Sequence, residues 1–191
     1  MIKELLKKIG TGVVKNQDTL EKQVKEAYLS IGSNLGNRIN NIEIAKFQLE
    51  QHKIKILKCS SNYLSNSWPN PSLPKYINII LKVATRLNPL DFLKTCNLIE
   101  KKLGRIKTKK NEPRTCDIDI IDYNSQIIDF KYNNLEFIVP HVNLVYRNFV
   151  LIPLKEILPE WKHPKTKEPI DLIIDKLSHV DKKSILKIKK S

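Results

Sequence analysis

The chain has 191 residues, a formal net charge of +14 and a hydrophobic share of 41%. That length fits one domain with extensions, because domains cluster at about 100–150 residues. No apolar run reaches the ~18 residues of a membrane span, and the N-terminus lacks the apolar segment of a secretory signal. We therefore expect a cytoplasmic monomer with no membrane partner.

The three cysteines are Cys59, Cys96 and Cys116, and they are widely spaced. An odd number without a C-x-x-C pair argues against a disulfide framework or a zinc site. They are predicted to be small buried hydrophobic residues.

The positive charge leaves two interpretations open. A basic protein attracts polyanions, and nucleic acid is the usual candidate. The lysines, however, are spread along the chain among many Asn and Ile residues rather than grouped in one patch. A nucleotide substrate also needs positive charge, though less of it. A basic RNA-binding module and a nucleotide-using enzyme therefore both remain possible at this point.

The first part of the chain alternates between extended and helical patterns. Residues 1–26 are polar with weak helical spacing and are predicted to be an N-terminal extension. After them, capping and periodicity predict a strand at Ala27–Ile31, a turn of small residues at Gly32–Gly36, a helix from the capping Asn37 to about Gln51, and a strand at Ile54–Tyr63.

The next part begins with a long loop and continues with regular elements. Residues 64–75 hold three prolines, and loops of this length in compact domains are often functional. Further on, the pattern predicts a strand at Tyr76–Thr85, a helix from Asn88-Pro89 to Leu103 that stops at Gly104, a basic loop at 105–113, a strand at Cys116–Tyr123, a late helix near Ile170–Leu177, and a basic tail at Lys182–Ser191.

The order strand–helix–strand–strand–helix–strand is the split βαβ pattern of ferredoxin-like folds. We predict an α+β fold with an antiparallel sheet and helices packed on one face. The predicted units are an extension at 1–26, a core domain at 27–165, and a C-terminal helix with a basic tail at 166–191.

The sharpest chemical signal is Pro113-Arg114-Thr115-Cys116-Asp117-Ile118-Asp119-Ile120. Residues two apart in a strand share a face, so the Cα atoms of Asp117 and Asp119 would lie about 6.6–7 Å apart and their carboxylates would repel each other. Magnesium would remove that repulsion, and two metal ions could share such a pair. A solvated edge strand with alternating charge is the alternative. The adjoining Arg114 favours phosphate chemistry, because arginine holds phosphate oxygens.

Other polar and aromatic residues suggest places for a nucleotide and a planar ring. Asn97 and Glu100 are neighbours on one helix face, and Arg105 follows with Lys107, Lys109 and Lys110; a solvated helix end is the alternative. Tyr76 and Asn78 share a strand face that could hold a heterocycle, with Phe149 as a second wall, although core aromatics are the alternative. His141 could contact phosphate, but a single histidine is usually structural.

Taken together, these pieces resemble the 6-hydroxymethyl-7,8-dihydropterin pyrophosphokinase family. They occur in the family's order and spacing across about Ala27 to Trp161. The matching pieces are Ile31-Gly32-Ser33-Asn34-Leu35-Gly36, Ser60-Ser61-x-Tyr63, Tyr76-Ile77-Asn78, Ile99-Glu100-x-x-Leu103-Gly104-Arg105, Pro113-Arg114-Thr115-x-Asp117-Ile118-Asp119-Ile120, and Val139-Pro140-His141 with Arg147-x-Phe149.

The resemblance implies a magnesium-dependent transfer of pyrophosphate from ATP to 6-hydroxymethyl-7,8-dihydropterin in folate biosynthesis, with AMP released. It implies two Mg²⁺ ions and no cofactor besides ATP. By position in the family's motifs, the metal ligands would be Asp117 and Asp119, and these two would be catalytic together with Arg105 and Arg114. Both arginines would also bind ATP, along with Asn97, Glu100, Ile120, His141 and Arg147. The pterin would be bound by Tyr76, Asn78 and Phe149.

The sequence departs from the family's common pattern at several places. Asn111 stands where a tryptophan is often found, and Val142 and Glu136 stand where members can have tyrosine and a basic residue. The loop at 64–75 has Asn66-Ser67-Trp68-Pro69 in place of the common T-x-P-x-G.

An RNA-binding module of the same topology remains the alternative function. Such modules stack bases on paired aromatics, and the equivalent strand here carries Asp117 and Asp119 instead. We therefore expect small-molecule substrates and no nucleic-acid partner.

Overall fold

The computed structural model describes residues 23–105, 112–133 and 135–189. The strands are β1 Lys25–Ser33, β2 Lys55–Cys59, β3 Tyr63–Ser65, β4 Tyr76–Thr85, β5 Asp117–Tyr123, β6 Ile128–Tyr132, β7 Leu135–Val139 and β8 Ile185–Lys187. The helices are α1 Arg38–Gln51, α2 Pro89–Lys102, α3 Asn148–Ile157, α4 Ile170–Asp175 and α5 His179–Lys183, with a 3₁₀ turn at Leu144–Tyr146.

The main sheet is antiparallel and has the order β5-β1-β4-β3-β8, with β2 also pairing with β4. Strand β1 lies between β5 and β4, so its residues have a partner on both sides. Gly32 is paired with Asp117 of β5 and with Asn78 of β4, and Ser30 is paired with Asp119. The predicted α+β class with an antiparallel sheet is confirmed, and β6 and β7 form a separate hairpin.

The two long helices begin at the capping residues that the sequence indicated. The Asn37 side chain accepts the N–H of Asn40 at 3.1 Å, and the Asn88 side chain accepts the N–H of Asp91 at 2.9 Å. Each bond satisfies a backbone donor that has no partner within the helix. At the far end of α2, Gly104 adopts φ +86°, a left-handed conformation that glycine tolerates best.

Helices cover both faces of the sheet, so the prediction of helices on one face holds only for α1 and α2. Those two pack on the first face, with Ile42, Leu49, Phe92 and Ile99 in its core. Helices α3 and α4 cover the second face around Ile80, Ile121, Leu151, Leu154 and Ile170. The cause is visible in β4, where consecutive apolar residues Ile79, Ile80 and Leu81 are all buried and point alternately to the two faces.

The predicted strand Ile54–Tyr63 is divided into β2 and β3, which both pair with β4. Ser60 lies at the break. Its N–H donates to the Ile80 carbonyl, and its hydroxyl accepts the Ile80 N–H, each at 2.9 Å. The serine side chain thus replaces a main-chain acceptor, so the edge of β4 stays satisfied while the paired chain bends.

The predicted basic tail contributes a strand to the sheet. Ile185–Lys187 forms β8, which pairs with β3 so that Ile185 lies opposite Ser65. Residues 1–22 of the predicted N-terminal extension lie outside the described residues, and the boundaries of the three predicted units stay predictions.

Two expectations from composition can be compared with the structure. Cys96 and Cys116 are buried as predicted, whereas Cys59 is exposed on β2. Within the described ranges, no helix is both long and apolar enough to cross a membrane.

Glu156 of α3 joins three elements at the β3 edge of the sheet. Its carboxylate accepts hydrogen bonds from the Ser61 N–H at 3.1 Å, the Ser61 hydroxyl at 2.8 Å and the Tyr63 hydroxyl at 2.9 Å. It also pairs with Lys187 of β8 at 2.9 Å. Burial alone would raise the pKa of Glu156, but the bonds from Lys187, Ser61 and Tyr63 outweigh it and lower the pKa.

We expect Glu156→Gln to lower the free energy of unfolding at neutral pH by about 1 kcal/mol, because the hydrogen bonds lose their charged acceptor. A carboxyl with a lowered folded-state pKa stabilises the fold above its unfolded-state pKa, and that contribution is lost as the pH falls through the folded-state value. Urea unfolding of both proteins between neutral pH and pH ~3 should show the difference shrinking on acidification. Glu160→Gln, at an exposed glutamate of the same region, is the control, and a difference independent of pH would contradict the prediction.

Candidate active site

Asp117 and Asp119 lie on one face of β5, at the strand's first and third positions. The intervening Ile118 and the following Ile120 point to the opposite face and join the core beneath α1 and α2. Because β1 pairs with β5 here, the two carboxylates stand beside Gly32 and Ser30. The structure thus brings the carboxylates together as the alternation indicated.

Three arginines from separate segments meet these carboxylates. Arg114 Nη1 lies 2.9 Å and Arg105 Nη1 lies 3.2 Å from Oδ1 of Asp117. Arg147 Nη1 lies 2.5 Å from Oδ2 of Asp119. Arg114 lies three residues before Asp117 and meets it locally. Arg105 follows α2 and Arg147 precedes α3, so tertiary structure brings these two to the carboxylates.

The acidic pair is electrostatically unfavourable on its own. Burial raises the pKa of Asp117, and the charge on Asp119 raises it further, while Arg114 and Arg105 lower it without cancelling the rise. A site that disfavours two negative charges gains most from an added cation.

The donor set fits magnesium bound jointly by protein and substrate. Within residues 23–105, 112–133 and 135–189, no group of three or more His, Cys, Asp and Glu side chains could enclose a metal ion. Asp117 and Asp119 therefore stand as a pair of carboxylates. Magnesium is usually bound by one or two carboxylates and completes its octahedron with water and substrate phosphates.

Glu100 lies beneath Arg105 rather than on the surface of the site. It is only 3% exposed, and its Oε1 accepts the Ile118 N–H at 2.8 Å and pairs with Arg105. Burial raises the pKa of Glu100 to about 7, the charge on Asp117 raises it as well, and Arg105 opposes the rise. Glu100 therefore ties α2 to β5 and orients Arg105, and its contact with ATP stays a prediction.

A cavity of about 280 Å³ opens beside Asp119. Its size is close to the lower end of small-molecule pockets, which measure about 300–1,000 Å³. The predicted ATP-binding residues on its wall are Asn97, Arg105, Ile120 and His141, and the predicted metal ligand Asp119 lies there too. Arg114 and Arg147 are not on this wall; they reach the site through the carboxylates.

Part of the cavity wall was missed from the sequence. Glu136, Phe137 and Ile138 of β7 and the neighbouring Val142 line it. Their side chains carry no distinctive chemical pattern, and only the folding of the β6–β7 hairpin brings them opposite α2. The departures at Glu136 and Val142 therefore lie at the cavity itself.

Tyr76 and Asn78 lie on the same face as the carboxylates, above Gly32. A Cβ atom at Gly32 would approach Asn78 Oδ1 to 2.9 Å and Tyr76 Cδ1 to 3.2 Å. The Asn78 amide is buried and donates to Ser65 Oγ at 2.9 Å. Burial raises the pKa of Tyr76, and the charge on Asp117 adds to the rise. The close approach at Gly32 was missed, although the glycine belongs to a motif that the sequence displays.

Phe149 lies beside Arg147, the arginine that pairs with Asp119. The centre of its ring is 5.7 Å from the guanidinium carbon of Arg147, which binds Asp119. The charges of Asp117 and Asp119 both raise the pKa of Tyr76, so both predicted ring-stacking residues lie near the carboxylate pair or its arginine partner.

Asn34 is a buried residue that connects two loops through hydrogen bonds, and the sequence analysis assigned it no role. Its Oδ1 accepts the Arg114 N–H at 2.7 Å, and its own N–H donates to the Arg114 carbonyl at 3.2 Å. Its Nδ2 donates to the Pro74 carbonyl at 3.1 Å. One asparagine thus links the turn after β1 to the arginine before β5 and to the end of the loop before β4. Lys107, Lys109, Lys110 and Asn111 of the predicted basic loop lie outside the described residues.

The comparison with protein families matches residues 28–159 to the model for 7,8-dihydro-6-hydroxymethylpterin-pyrophosphokinase. The chain belongs to this pyrophosphokinase family. The family resemblance drawn from the motifs is therefore confirmed.

Curated relatives include free-standing and much longer proteins. The 2-amino-4-hydroxy-6-hydroxymethyldihydropteridine pyrophosphokinase of Synechocystis is 35% identical over 158 residues, covering 82% of this chain and 78% of its own length. The folic acid synthesis protein fol1 of Schizosaccharomyces pombe is 36% identical over 154 residues, covering 80% of this chain. The chain spans about a fifth of the length of the fungal relatives that it matches.

Solved structures share the fold of this pyrophosphokinase family member. The Plasmodium falciparum HPPK-DHPS wild-type structure with STZ-DHP superposes with a TM-score of 0.66 at 18% identity, over 83% of this chain and 42% of that one. An HPPK-DHPS structure in complex with substrates gives a TM-score of 0.64 at 19% identity, over 80% of this chain and 43% of that one. At this identity the likeness concerns the fold alone.

We expect Gly32→Ala to displace the Asn78 amide and break its bond to Ser65, because the added methyl group would lie too close to Asn78 Oδ1. The loss of one buried hydrogen bond should lower the free energy of unfolding by about 1–3 kcal/mol. In an Asn78→Ala background the same substitution should cost much less. Urea unfolding of the two single variants, the double variant and the parent measures this; strictly additive effects would contradict the predicted contact.

Proposed function

We propose that this chain transfers pyrophosphate from ATP to 6-hydroxymethyl-7,8-dihydropterin and releases AMP, as a step of folate biosynthesis. The observation that carries the proposal is the carboxylate pair Asp117 and Asp119, bound by three arginines and open to a cavity in a member of this family. Phosphoryl-transfer sites combine these parts, since they work mainly by positioning and by stabilising charge.

ATP would place its nucleoside in the cavity between α2 and β7 and its phosphates towards the carboxylates. Asn97 and Ile120 line that cavity and would contact the base and sugar, while His141 and Arg105 stand near the phosphate end. The pterin would lie against Tyr76, Asn78 and Phe149, with its hydroxymethyl group directed towards Asp119. The proposed substrates are both small molecules.

Asp117 and Asp119 would hold two magnesium ions together with the phosphates. When bound, these ions supply positive charge that neutralises the phosphate oxygens and lowers the pKa of the attacking hydroxyl. The raised pKa of Asp117 in their absence supports this assignment, because burial and the neighbouring Asp119 leave the site in need of a cation.

The three arginines would exchange partners when ATP binds. In the protein alone, Arg105, Arg114 and Arg147 compensate the aspartates. Once the aspartates bind the magnesium ions, the same guanidinium groups can donate hydrogen bonds to phosphate oxygens that gain charge during the transfer. A single preorganised donor of this kind lowers a barrier by about 2.7–4 kcal/mol.

His141 would act as a neutral hydrogen-bond donor. Its Nδ1 accepts the N–H of Asn143 at 3.1 Å, which leaves the proton of the neutral ring on Nε2. Nε2 lies 4.0 Å from Asp119 Oδ2, on the cavity side. Burial lowers the pKa of His141, the charge on Asp119 opposes this, and the lowered value favours the neutral ring at pH 7. The ring would donate to a phosphate oxygen without taking part in proton transfer.

Both the cytoplasmic location and the monomeric state stay part of this proposal.

We expect Asp119→Asn to reduce AMP release by at least about 10³-fold, because the variant loses the ligand charge on which the transfer depends. The assay supplies 6-hydroxymethyl-7,8-dihydropterin and ATP, with and without Mg²⁺, and the parent should require the metal. Asp129→Asn, at an exposed position of β6, is the matched control and should remain active.

The folded state of each variant is checked by thermal unfolding. Asp119→Asn relieves the repulsion with Asp117 but weakens the ion pair with Arg147, so we expect only a small change in melting temperature. AMP release near the parent's rate by folded Asp119→Asn would overturn the proposed role of the pair.

A further inference from the structure

Trp68 occupies an unusual place on the loop between β3 and β4, residues 66–75, called here the β3–β4 loop. Its ring lies over Arg147, with the guanidinium carbon 5.4 Å from the ring centroid, and yet the residue is 43% exposed. Phe149 meets the same guanidinium at 5.7 Å. Two aromatic rings therefore contact the one arginine that binds Asp119. The distances suit cation–π attraction, which operates within about 6 Å of a ring centroid.

Arg147 needs such support because its hydrogen bonds are incomplete. Nη1 donates to Asp119, whereas Nε is buried and has no hydrogen-bond partner in the part of the chain that the structure describes. A buried donor without a partner marks a group that gains from an added acceptor. Among the described residues, none supplies an acceptor for this N–H.

The main chain beside Arg147 is held firmly. The next residue, Asn148, donates from Nδ2 to Ser184 Oγ at 2.9 Å and to the Asp181 carbonyl at 2.5 Å. The side chain must still reach Asp119, and its aliphatic stem has several rotatable bonds. Rings on the guanidinium restrict those rotations where the hydrogen bonds do not.

The β3–β4 loop is itself anchored, so Trp68 is presented from a defined position. Before the loop, β3 pairs with β4 and β8. At its end, the Pro74 carbonyl accepts from Asn34 at 3.1 Å and the Lys75 carbonyl accepts from Arg38 at 2.7 Å.

We propose that Trp68 is a positioning residue that holds the Arg147 guanidinium in the orientation needed to bind ATP phosphate. The proposal rests on the proposed function and deepens it, because it assigns the site's third arginine a partner from the loop in which this sequence departs from the family's common pattern. The indole keeps Arg147 near Asp119 in the free protein and leaves its Nε–H available to a phosphate oxygen.

Two substitutions of Trp68 distinguish an aromatic contact with Arg147 from mere apolar packing against it. Trp68→Phe keeps an aromatic face, whereas Trp68→Leu keeps apolar bulk and has no aromatic face to attract a cation. We expect the Leu variant to weaken binding of a non-hydrolysable ATP analogue with Mg²⁺ by about 3–30-fold, the range that a cation–π contact implies. The Phe variant should recover most of that loss. Calorimetry measures both, and thermal unfolding verifies that each variant is folded.

A double-mutant cycle with Arg147 tests whether the effect passes through this arginine. If Trp68 acts by positioning Arg147, Trp68→Leu should weaken analogue binding in the parent and have little further effect in an Arg147→Ala background. Equal effects in both backgrounds would overturn the proposal. So would parental affinity in the Leu variant, or an effect confined to binding of the dihydropterin.

Fluorescence provides a direct signal for the same contact. The chain has two tryptophans, and Trp161 is buried with its Nε1 donating to Asp122, away from Arg147. Binding of the analogue should therefore change the emission of the parent and leave that of Trp68→Phe nearly unchanged. An equal change in both proteins would contradict the proposal.

Failure of the proposed function would be recognised separately. The proposed function fails if the parent releases no AMP from ATP and dihydropterin. The Trp68 proposal is judged on analogue binding without turnover, and absence of coupling between Trp68 and Arg147 in that binding overturns it.

Discussion

The repulsion between Asp117 and Asp119 is the constraint on which the site depends. Two carboxylates on one face of one strand, partly withdrawn from water, must be compensated by cations close at hand. In the free protein the compensation comes from guanidinium groups at 2.5–3.2 Å. Arg105 and Arg114 come from the two ends of the connection between α2 and β5, and Arg147 comes from the segment before α3. The fold must therefore bring the end of α2 and the start of α3 to the start of β5. In the proposed reaction, the same guanidinium groups donate to phosphate oxygens once the carboxylates bind magnesium.

Residues below the surface keep this arrangement in place. Glu100 binds the Ile118 N–H and Arg105 at once, so α2 cannot shift relative to β5 without breaking a buried charge-assisted bond. Asn34 does the same for Arg114 and for the end of the β3–β4 loop. Neither residue lines the cavity. Their contribution is the precision with which the arginines are held.

The part of the chain beyond the matched family region also contributes to the site. The match ends at residue 159, yet α5 and β8 lie after it. Strand β8 pairs with β3, immediately before the β3–β4 loop, and Asp181 and Ser184 hold Asn148 beside Arg147. The loop with Trp68 and the arginine that it contacts are thus braced by the same C-terminal segment. The segment 182–191 was predicted to be a basic tail because of its lysines. Part of it instead stabilises the sheet, since its apolar Ile185 is buried at the sheet edge.

Local rules were enough for the elements and for the acidic pair. Asn37 and Asn88 cap their helices because a side-chain oxygen can satisfy backbone donors within three residues, and Asp117 and Asp119 share a face because a strand repeats every two residues. Six motifs in order were also enough to identify the family. The second helical layer, the break at Ser60 and strand β8 depend on partners distant in sequence, and no local pattern encodes them.

The sequence by itself determined which residues carry charge and aromatic surface, and it determined the order in which they occur. Tertiary structure alone decided that Glu100 lies beneath Arg105, that Gly32 makes room for Asn78 and Tyr76, and that Trp68 meets Arg147. The physical reason is that these contacts join residues from different elements. Their distances depend on how the sheet, helices and loops pack, and packing is a property of the whole chain.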